Sequence, residues 1–223
     1  MAIPYTYKPF PFSSHTAIAK ILRESKAERI LDIGCAEGFL AEALGYRPKT
    51  LIGIDNNIQQ KPEGYSQFIK ADLEESNFTL RDTFDAIVFA DILEHLAKPQ
   101  IVLQKAKGYI AENGFILVSV PNMDFFLARL QRFLGIRLEM NRGLFDKTHK
   151  QEFNLKKIEN FLKINQFEVR ERAFTPVPLP LISTAFDKGN LLYPLYLLLT
   201  FITQSFPSIF AYQVIVKAKK SET

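Results

Sequence analysis

A glycine-rich turn that joins an apolar run to an amphipathic segment is the feature that most constrains this chain. Residues 28–44 have the sequence ERILDIGCAEGFLAEAL, in which Gly34 and Gly38 bracket the turn. Glycine lets the backbone bend sharply and approach a ligand closely, and the helix predicted from Phe39 directs its N-terminus at the same place. Asp32 ends the preceding strand, where ligands bind in open α/β sheets. The stretch predicts a nucleotide-cofactor cradle, with a purely structural strand-to-helix turn as the alternative.

A second strand with an acidic end supports the cradle. The uncharged run from Thr50 to Ile54 is followed by Asp55. This carboxylate lies roughly 20 residues past the glycines, the spacing at which an acidic side chain accepts hydrogen bonds from ribose hydroxyls. Two strand ends, each with one carboxylate, are therefore expected to face one crevice.

Strand and helix patterns continue to alternate along the chain, which predicts a parallel α/β sheet. Runs such as IVFA and FILVSV lack charge, as strands buried on both faces do. Asn113-Gly114 is expected to close the helix before the second of these runs. Further strands are predicted at residues 68–69, 85–90 and 115–120, a helix through Ile101, Val102, Ala106, Tyr109 and Ile110, and a terminal antiparallel pair at 167–175 and 212–218.

Composition and the first residues suit one globular domain over residues 1–223. The chain is 47% hydrophobic and 23% charged, which is ordinary for a soluble protein and argues against disorder. Residues 1–12 lack the apolar core of a signal peptide and predict an extended arm, followed by a helix that Ser13 or Ser14 caps. His15 is expected to be solvated or capping, with contact to the active site as the alternative.

The single cysteine, Cys35, excludes an intrachain disulfide and fits a reducing compartment. Its position inside the glycine turn favours a small filler over a nucleophile. The predicted location is the cytoplasm, with peripheral contact to a membrane as an addition to it.

Taken together, these motifs resemble those of the class I S-adenosylmethionine-dependent methyltransferases over residues 13–174. The family's first motif corresponds to Asp32, Gly34 and Gly38, with Ala36 in place of the middle glycine. The resemblance implies a Rossmann-like, mostly parallel seven-stranded sheet flanked by helices, with a hydrophobic insertion before the last strand. It also implies that S-adenosylmethionine is the cofactor, and that it is bound by Asp32, Gly34, Cys35, Gly38, Asp55, Asn56, Asp72, Leu73, Ala90 and Asp91.

Within this set the resemblance implies a division of roles. Asp55 would hold the ribose, Asp72 with Leu73 the adenine edge, and Ala90 with Asp91 the methionine end of the cofactor.

Residues that suit acceptor chemistry follow the fourth strand. In ADILEHL, the spacing of Asp91, Glu94 and His95 predicts that all three lie on one face of a helical turn, and DKTHKQEF supplies His149. The pattern is similar to that of ubiquinone-biosynthesis O-methyltransferases and small-RNA 2′-O-methyltransferases, which implies a divalent metal site at these residues. Catalytic roles are assigned to Glu94, His95 and His149. Metal-free general-base catalysis by a histidine, and a purely structural role, remain open.

Two segments are additions to the minimal core of the methyltransferase family that the chain resembles. Residues 121–150 contain FFLARLQRFLGIRL, an amphipathic helix with a basic edge, which is interpreted as a packed helix, a lid or a membrane-surface helix. The second segment, residues 176–211, has no charged residue after Lys188, and the next charge in the chain is Lys217. A transmembrane span is disfavoured there because Pro194, Pro207 and Gln204 interrupt it. A roof over the substrate site, a homodimer contact or a membrane patch is expected instead.

The function predicted from the sequence is methylation of a hydroxyl on a hydrophobic or lipid-linked small molecule. One alternative is a binding or regulatory module without turnover, because VSVPNMDFFLARLQ also looks like a methyltransferase-fold accessory protein of methionine biosynthesis. Another is an RNA-end 2′-O-methyltransferase, but no basic track with interleaved aromatic residues supports nucleic acid as a partner. The net charge of +4 favours an anionic membrane or anionic substrate.

Overall fold

A single sheet of seven strands organises the computed structural model, which describes residues 7–57, 59–75, 77–136 and 138–221. The strand order is β3-β2-β1-β4-β5-β7-β6. The strands are β1 Arg29–Ile33, β2 Thr50–Asp55, β3 Gln67–Lys70, β4 Phe84–Ala90, β5 Ile110–Pro121, β6 Phe167–Thr175 and β7 Gln213–Lys220.

Helices and short 3₁₀ turns connect the strands. The helices are α1 Ser14–Glu24, α2 Phe39–Leu44, α3 Pro99–Lys107, α4 Phe126–Phe133, α5 Leu155–Ile164, α6 Tyr193–Ser205 and α7 Pro207–Phe210. The 3₁₀ turns are Leu93–His95, Leu179–Leu181 and Thr184–Phe186.

Strands β1 to β5 pair in parallel, whereas β7 runs antiparallel to both of its neighbours, β5 and β6. The predicted fold class, including the hydrophobic insertion before the last strand, is confirmed. Because parallel strands end on the same side, the carboxyl ends of β1, β2, β4 and β5 form one edge. Asp32, Asp55 and Ala90 lie at or next to that edge.

Alternation along the strands divides the core between the two faces of the sheet. Leu31 and Ile33 contribute to one cluster, with buried residues of α3 and α5. Ile30 contributes to the other cluster, with buried residues of α1 and α2. The central strands are covered on both sides, which explains their uncharged sequences.

The start of the chain partly matches its prediction. Residues 1–6 of the expected arm lie outside the described part. Ser13 caps α1, because its hydroxyl accepts from the N–H of Thr16 at 3.2 Å. The side chain of Tyr7 stacks on His15 and Phe39, so this part of the arm lies against the start of α2.

The boundary between α3 and β5 was predicted wrongly. The helix ends at Lys107, and Ile110 already pairs with Phe84 as the first residue of β5. Asn113-Gly114 therefore does not close the helix but lies in an irregular stretch of the strand, where the register with β4 shifts. A Cβ on Gly114 would lie 2.7 Å from the carbonyl oxygen of Phe84, so the glycine serves this close backbone approach.

The insertion at residues 176–211 holds α6 and α7, and residues 121–150 hold α4. None of the helices in the described ranges is both long enough and apolar enough to span a bilayer.

Replacing Gly114 by alanine is expected to lower the free energy of unfolding by about 1–3 kcal/mol, because the new methyl group meets backbone that cannot yield easily. Gly108→Ala is the matched control. It follows α3 with ordinary right-handed dihedrals and its nearest neighbour would be 3.4 Å away. Denaturant unfolding compares the two, and equal stabilities would contradict the close-approach explanation.

Candidate active site

The glycine turn between β1 and α2 is built on left-handed backbone. Gly34 and Gly38 have φ values of +80° and +88°, and Ala36 has +43°. The N–H groups of Gly34 and Cys35 both donate to the carbonyl oxygen of Ile54, which fixes the turn to the end of β2. Ala36 thus adopts a left-handed conformation that residues with a side chain rarely adopt. The turn is therefore held by its hydrogen bonds rather than by the backbone preference of alanine.

Asp55 is the carboxylate that fastens this turn. Its Oδ2 accepts from the N–H of Ala36 at 3.0 Å, and its Oδ1 accepts from the N–H of Asn57 at 2.7 Å. A carboxylate has about four acceptor positions, so these two bonds leave capacity for a ligand. Asp55 therefore both fastens the turn and keeps acceptor positions at the edge where the strands end. Asn56 lies beside it in the same loop and is exposed.

Tyr65 lies beside the glycine turn and contacts Asp32, and nothing in the sequence pattern indicated this role. Its hydroxyl donates to Oδ2 of Asp32, and both side chains are buried. No helix forms among the described residues between β2 and β3, and the Tyr65 ring packs in the second core cluster with α2. Burial raises the pKa of Asp32 to about 7, the hydrogen bond from Tyr65 works against this, and the charge of Asp55 adds to the rise.

Cys35 has the filler role expected of it. A Cβ on Gly53 would lie 2.6 Å from its Sγ, so the thiol packs directly against β2. Burial, followed by the charges of Asp32 and Asp55, raises the pKa of the thiol well above its usual range. A thiol held protonated in this way is a poor nucleophile.

The loop after β3 brings the expected adenine-side residues to the same edge. The N–H of Ala71 donates to the carbonyl oxygen of Asp55 at 3.1 Å. Oδ1 of Asp72 accepts from the N–H of Glu74, so its side chain closes a local turn. Asp72 is half-buried and Leu73 is buried.

Asp91 is placed differently from the prediction that it shares one helical face with Glu94 and His95. It has a φ of +52° and precedes the 3₁₀ turn Leu93–His95, which is too short to align all three side chains. Its Oδ1 accepts from the Ser119 hydroxyl and its Oδ2 from the Gln213 amide at 2.6 Å. Asp91 therefore ties β4 to β5 and β7, while Ala90 ends β4 half-buried.

Glu94 is the unusual carboxylate of the site. Its side chain is buried, with the residue 1% exposed, and its Oε2 has no hydrogen-bond partner among the described residues. Burial and the charge of Asp91 raise its pKa well above the ordinary value. A buried polar atom without a partner costs free energy, so this oxygen is a strong candidate for contact with a ligand.

Glu94, His95 and His149 converge. One ligand atom from each lies within 4.8 Å of the others, and the two imidazole centroids are 4.8 Å apart. The distant His149 is brought there by backbone, because the N–H groups of Lys150 and Gln151 both donate to the carbonyl oxygen of Glu94. The Lys150 ammonium also donates to Glu74 at 2.6 Å.

A hydrogen-bond chain fixes the orientation of His95. The Thr148 hydroxyl donates its one proton to Oδ1 of Asp146 at 2.7 Å, and it contacts Nδ1 of His95 at 3.0 Å. The hydroxyl oxygen then accepts from Nδ1–H, which leaves the lone pair of His95 on Nε2. Asp146 and Thr148 stand beside His149 in the motif DKTH, and this adjacency was the only signal in the sequence that they matter.

The charges near this chain set the remaining pKa directions. Burial alone would raise the pKa of Asp146, but the hydrogen bonds from Thr148 and the charges of the two histidines lower it overall. Burial, with the charge of His95, lowers the pKa of His149. The His149 ring thus sits where the neutral form, with an available lone pair, is favoured.

His15 is neither solvated nor a cap, in contrast to the expectation. It is buried, and its Nδ1 accepts from the N–H of Lys8 at 3.0 Å. Burial and the charge of Lys8 lower its pKa to about 4, against a raising effect from Asp91. The ring therefore stays neutral and packs the arm onto the site edge.

Comparison with known proteins gives one family match and several distant relatives. A family model described as a methyltransferase domain matches residues 11–172. A ubiquinone biosynthesis O-methyltransferase of Azorhizobium caulinodans is 30% identical over 112 residues, covering 47% of this chain and 44% of the relative. The mitochondrial enzyme of that name from Mus musculus is 27% identical over 157 residues, covering 63% and 41%. The chain spans about half the length of the curated relatives that it matches.

Among solved structures, the fold is similar to that of magnesium protoporphyrin IX methyltransferase from Synechocystis PCC 6803 with bound SAH. The TM-score is 0.58 at 15% identity, covering 93% of this chain and 82% of the other. At this identity the likeness shows the fold alone.

Asp32→Asn is expected to reduce the pH dependence of stability. The pKa of Asp32 rises from 3.8 to about 7 on folding, so the folded state holds a proton that the unfolded state loses. The associated stability is complete below the unfolded pKa and disappears as pH rises through the folded one, by about 2–4 kcal/mol in total.

Denaturant unfolding between pH 4 and 8 (roughly the window set by these two values) measures this, with the exposed Asp82→Asn as control. The wild type and Asp82→Asn should both lose stability as the pH rises, and Asp32→Asn should lack this loss. Tyr65→Phe should steepen it, because the ionised carboxylate loses its donor. Parallel curves for all four proteins would contradict the assignment of a raised pKa to Asp32.

Proposed function

Because the chain belongs to the methyltransferase domain family, we propose that it transfers the methyl group of S-adenosylmethionine to a hydroxyl of a hydrophobic or lipid-linked small molecule. The observation that carries this proposal is the unpartnered, buried carboxylate of Glu94 beside His95 and His149. This cluster follows β4 directly, so it adjoins the edge where the cofactor residues lie. A methyl donor and a proton-accepting cluster at one edge are what methylation of a hydroxyl requires.

The polar residues and glycines at the strand ends fit the proposed cofactor, S-adenosylmethionine. Asp55 retains acceptor positions for the ribose hydroxyls, and Asp72 with Leu73 borders the region proposed for adenine. Ala90 and the turn at Gly34 and Gly38 border the methionine end. When bound, the sulfonium of S-adenosylmethionine supplies the methyl group, and the protein's part is to orient the acceptor in line with it.

Asp32 and Asp91 are given different parts in this proposal from those implied by resemblance alone. Asp32 accepts from Tyr65, and Asp91 accepts from Ser119 and Gln213. Both carboxylates are thereby positioned by the chain itself, so we assign them to shaping the methionine end and expect any cofactor contact to use their remaining acceptor positions.

The acceptor side needs a group that takes the hydroxyl proton. The chain Asp146–Thr148–His95 leaves a lone pair on Nε2 of His95, and Asp146 can stabilise the ring once it is charged. His149 stands beside it with a lowered pKa, so the pair offers a neutral base and a hydrogen-bond partner for the substrate.

A divalent cation fits the same residues. Glu94, His95 and His149 would supply one carboxylate and two imidazole ligands, a mixture that suits Mn²⁺, Fe²⁺ or Zn²⁺. Thr148 would hold His95 in the ligating tautomer from outside the ligand set. When bound, such a cation lowers the pKa of a coordinated hydroxyl. Asp91 is not part of this ligand set, because its carboxylate is committed to β5 and β7.

The proposal of a hydrophobic acceptor rests on the surroundings of the cluster. Helices α4 and α6 expose leucine and phenylalanine side chains, and α7 exposes Ile209. The segments that hold these helices start or end at the same edge of the sheet. The names of the ubiquinone biosynthesis relatives agree with such a substrate.

A module without turnover is the second candidate. It is favoured by the hydrogen bonds that Asp32 accepts from Tyr65 and that Asp91 accepts from Ser119 and Gln213, because they leave fewer carboxylate acceptor positions to a ligand. Transfer of a labelled methyl group to any acceptor distinguishes an enzyme from such a module.

Asp55→Asn is expected to weaken binding of S-adenosylmethionine by about 1–3 kcal/mol, because the amide offers fewer acceptor positions and faces two backbone donors. Calorimetry measures this, with Asp82→Asn as a matched exposed control and thermal unfolding as the check on the fold. Equal affinities for Asp55→Asn and wild type would remove the ribose assignment.

Glu94→Gln and His149→Gln are each expected to reduce Mn²⁺ binding at least tenfold, on the order of the loss of one ligand, while leaving binding of S-adenosylmethionine unchanged. Electron paramagnetic resonance of free Mn²⁺ gives the affinity, and Glu112→Gln is the exposed control. If the wild type takes up no Mn²⁺, Zn²⁺ or Fe²⁺, the metal assignment is wrong and activity should then resist chelators, as a metal-free base predicts.

A further inference from the structure

Helix α6 packs with its polarity reversed. The side chains that it buries are Tyr196, Thr200 and Thr203. Their hydroxyls donate to the carbonyl oxygens of Pro11, Tyr196 and Phe210, respectively. The outward side chains of the first two turns and the middle of the helix include Leu195, Leu198 and Phe201, and Phe201 is 70% exposed. Polar Gln204 and Ser205 are exposed only at its C-terminal end. A helix at a water-facing surface has the opposite arrangement, with its apolar stripe toward the core.

Exposed apolar side chains also occur in the segments on either side of α6 and in α4. Leu191, just before the helix, is 89% exposed, and Phe133 at the end of α4 is 86% exposed. Helix α4 adjoins α7, because the rings of Phe126 and Phe210 are 6.1 Å apart. We use the name apolar face for the exposed apolar residues of these segments together, which are Phe126, Leu127, Leu130, Phe133, Leu134, Ile182, Leu191, Leu195, Leu198, Phe201, Phe206 and Ile209.

The charges around the apolar face are mainly positive. Residues 122–150 contain six Lys and Arg against three Asp and Glu, and no charged residue occurs between Lys188 and Lys217. On α4, Arg129 and Arg132 share the single carboxylate of Asp124, at 3.5 and 3.4 Å. Two guanidinium groups on one carboxylate leave a net positive charge beside the exposed leucines.

We propose that the apolar face docks this protein on an anionic lipid bilayer, with α4 and α6 lying in the plane of the membrane interface. Apolar side chains of interfacial helices enter the acyl boundary, and arginines beside them contact headgroup phosphates. The reversed polarity of α6 then has a cause, because its leucines face hydrocarbon and its hydroxyls face the protein.

A second copy of the chain fits this face less well. A two-fold dimer would place the same patch against itself, so the arginines beside it would approach their own equivalents. Leu195, Leu198 and Phe201 also offer no hydrogen-bonding group, whereas specific protein interfaces carry several hydrogen bonds. An anionic bilayer neutralises the arginines and needs no such pairing.

The location of the apolar face also bears on the substrate, and this part rests on the proposed function. The segment of α6 and α7 returns to the sheet at Gln213, whose amide bonds Asp91, and residues 122–150 leave the sheet at the end of β5. Both segments therefore start or end at the edge that carries Glu94 and His95. An acceptor dissolved in the bilayer would reach the cluster without crossing water.

The test of docking uses vesicle sedimentation of the full chain without donor, so that it is independent of methyl transfer. Wild type should pellet with vesicles of phosphatidylcholine containing about 30% phosphatidylglycerol, and much less with phosphatidylcholine alone. The double variant Leu198→Gln/Phe201→Gln should bind more than tenfold more weakly, and Arg129→Gln/Arg132→Gln should lose on the order of tenfold on anionic vesicles only.

The matched control is Ile101→Gln/Ile164→Gln, which removes two exposed apolar side chains from α3 and α5 and should bind as wild type does. Thermal unfolding verifies that each variant is folded. Wild type that stays in the supernatant, or binding that survives Leu198→Gln/Phe201→Gln, would overturn the proposal. A dimer that this double change converts to a monomer, with no vesicle binding, would identify a second copy as the occupant instead.

Discussion

The common edge at which the parallel strands end is the constraint on which the rest of the molecule depends. Asp32, Asp55 and Ala90 come from different parts of the sequence, but β1, β2 and β4 deliver them to one side of the sheet. The hydrogen bonds that hold the edge are made largely by backbone: the turn of residues 34–38 donates to the end of β2, and the loop after β3 donates to Asp55. The long segment after β5 returns to the same edge because two of its N–H groups meet the carbonyl oxygen of Glu94.

The hydrogen bonds already made within the chain distinguish the carboxylates of this edge from one another. The Asp91 carboxylate accepts hydrogen bonds from side chains of β5 and β7, and that of Asp32 accepts one from Tyr65. The Asp55 carboxylate accepts two from backbone N–H groups and has acceptor positions left. Glu94 alone among these four has an oxygen that is buried without a partner in the described chain. The hydrogen bonds that each carboxylate accepts therefore separate the residues that maintain the fold from the residue most in need of a ligand, although all four are acidic residues at or shortly after strand ends.

Local sequence patterns predicted most of the strands and helices, whereas contacts between residues that are distant in the sequence could not be predicted. The glycine turn, the strands and the Ser13 cap depend on nearby residues, and they occur where the sequence predicts them, except for the start of β5. The helical grouping of Asp91 with Glu94 failed because the backbone at Asp91 is left-handed, and the end of α3 was misplaced because Asn113-Gly114 serves a bulge. Tyr65, the Thr148 relay and the reversed polarity of α6 arise only from tertiary packing, so no spacing rule reveals them.

The central claim is that a methyl donor and an acceptor cluster meet at one edge for transfer to a hydrophobic hydroxyl compound. The most direct measurement incubates the protein with donor carrying a labelled methyl group and with separated fractions of lipids, quinones, glycans and RNA. The account predicts label in a lipid or quinone fraction. This label should survive alkaline treatment, as that of a methyl ether does, and should be absent with His149→Gln. Donor binding without label in any fraction, or label confined to RNA, would contradict it.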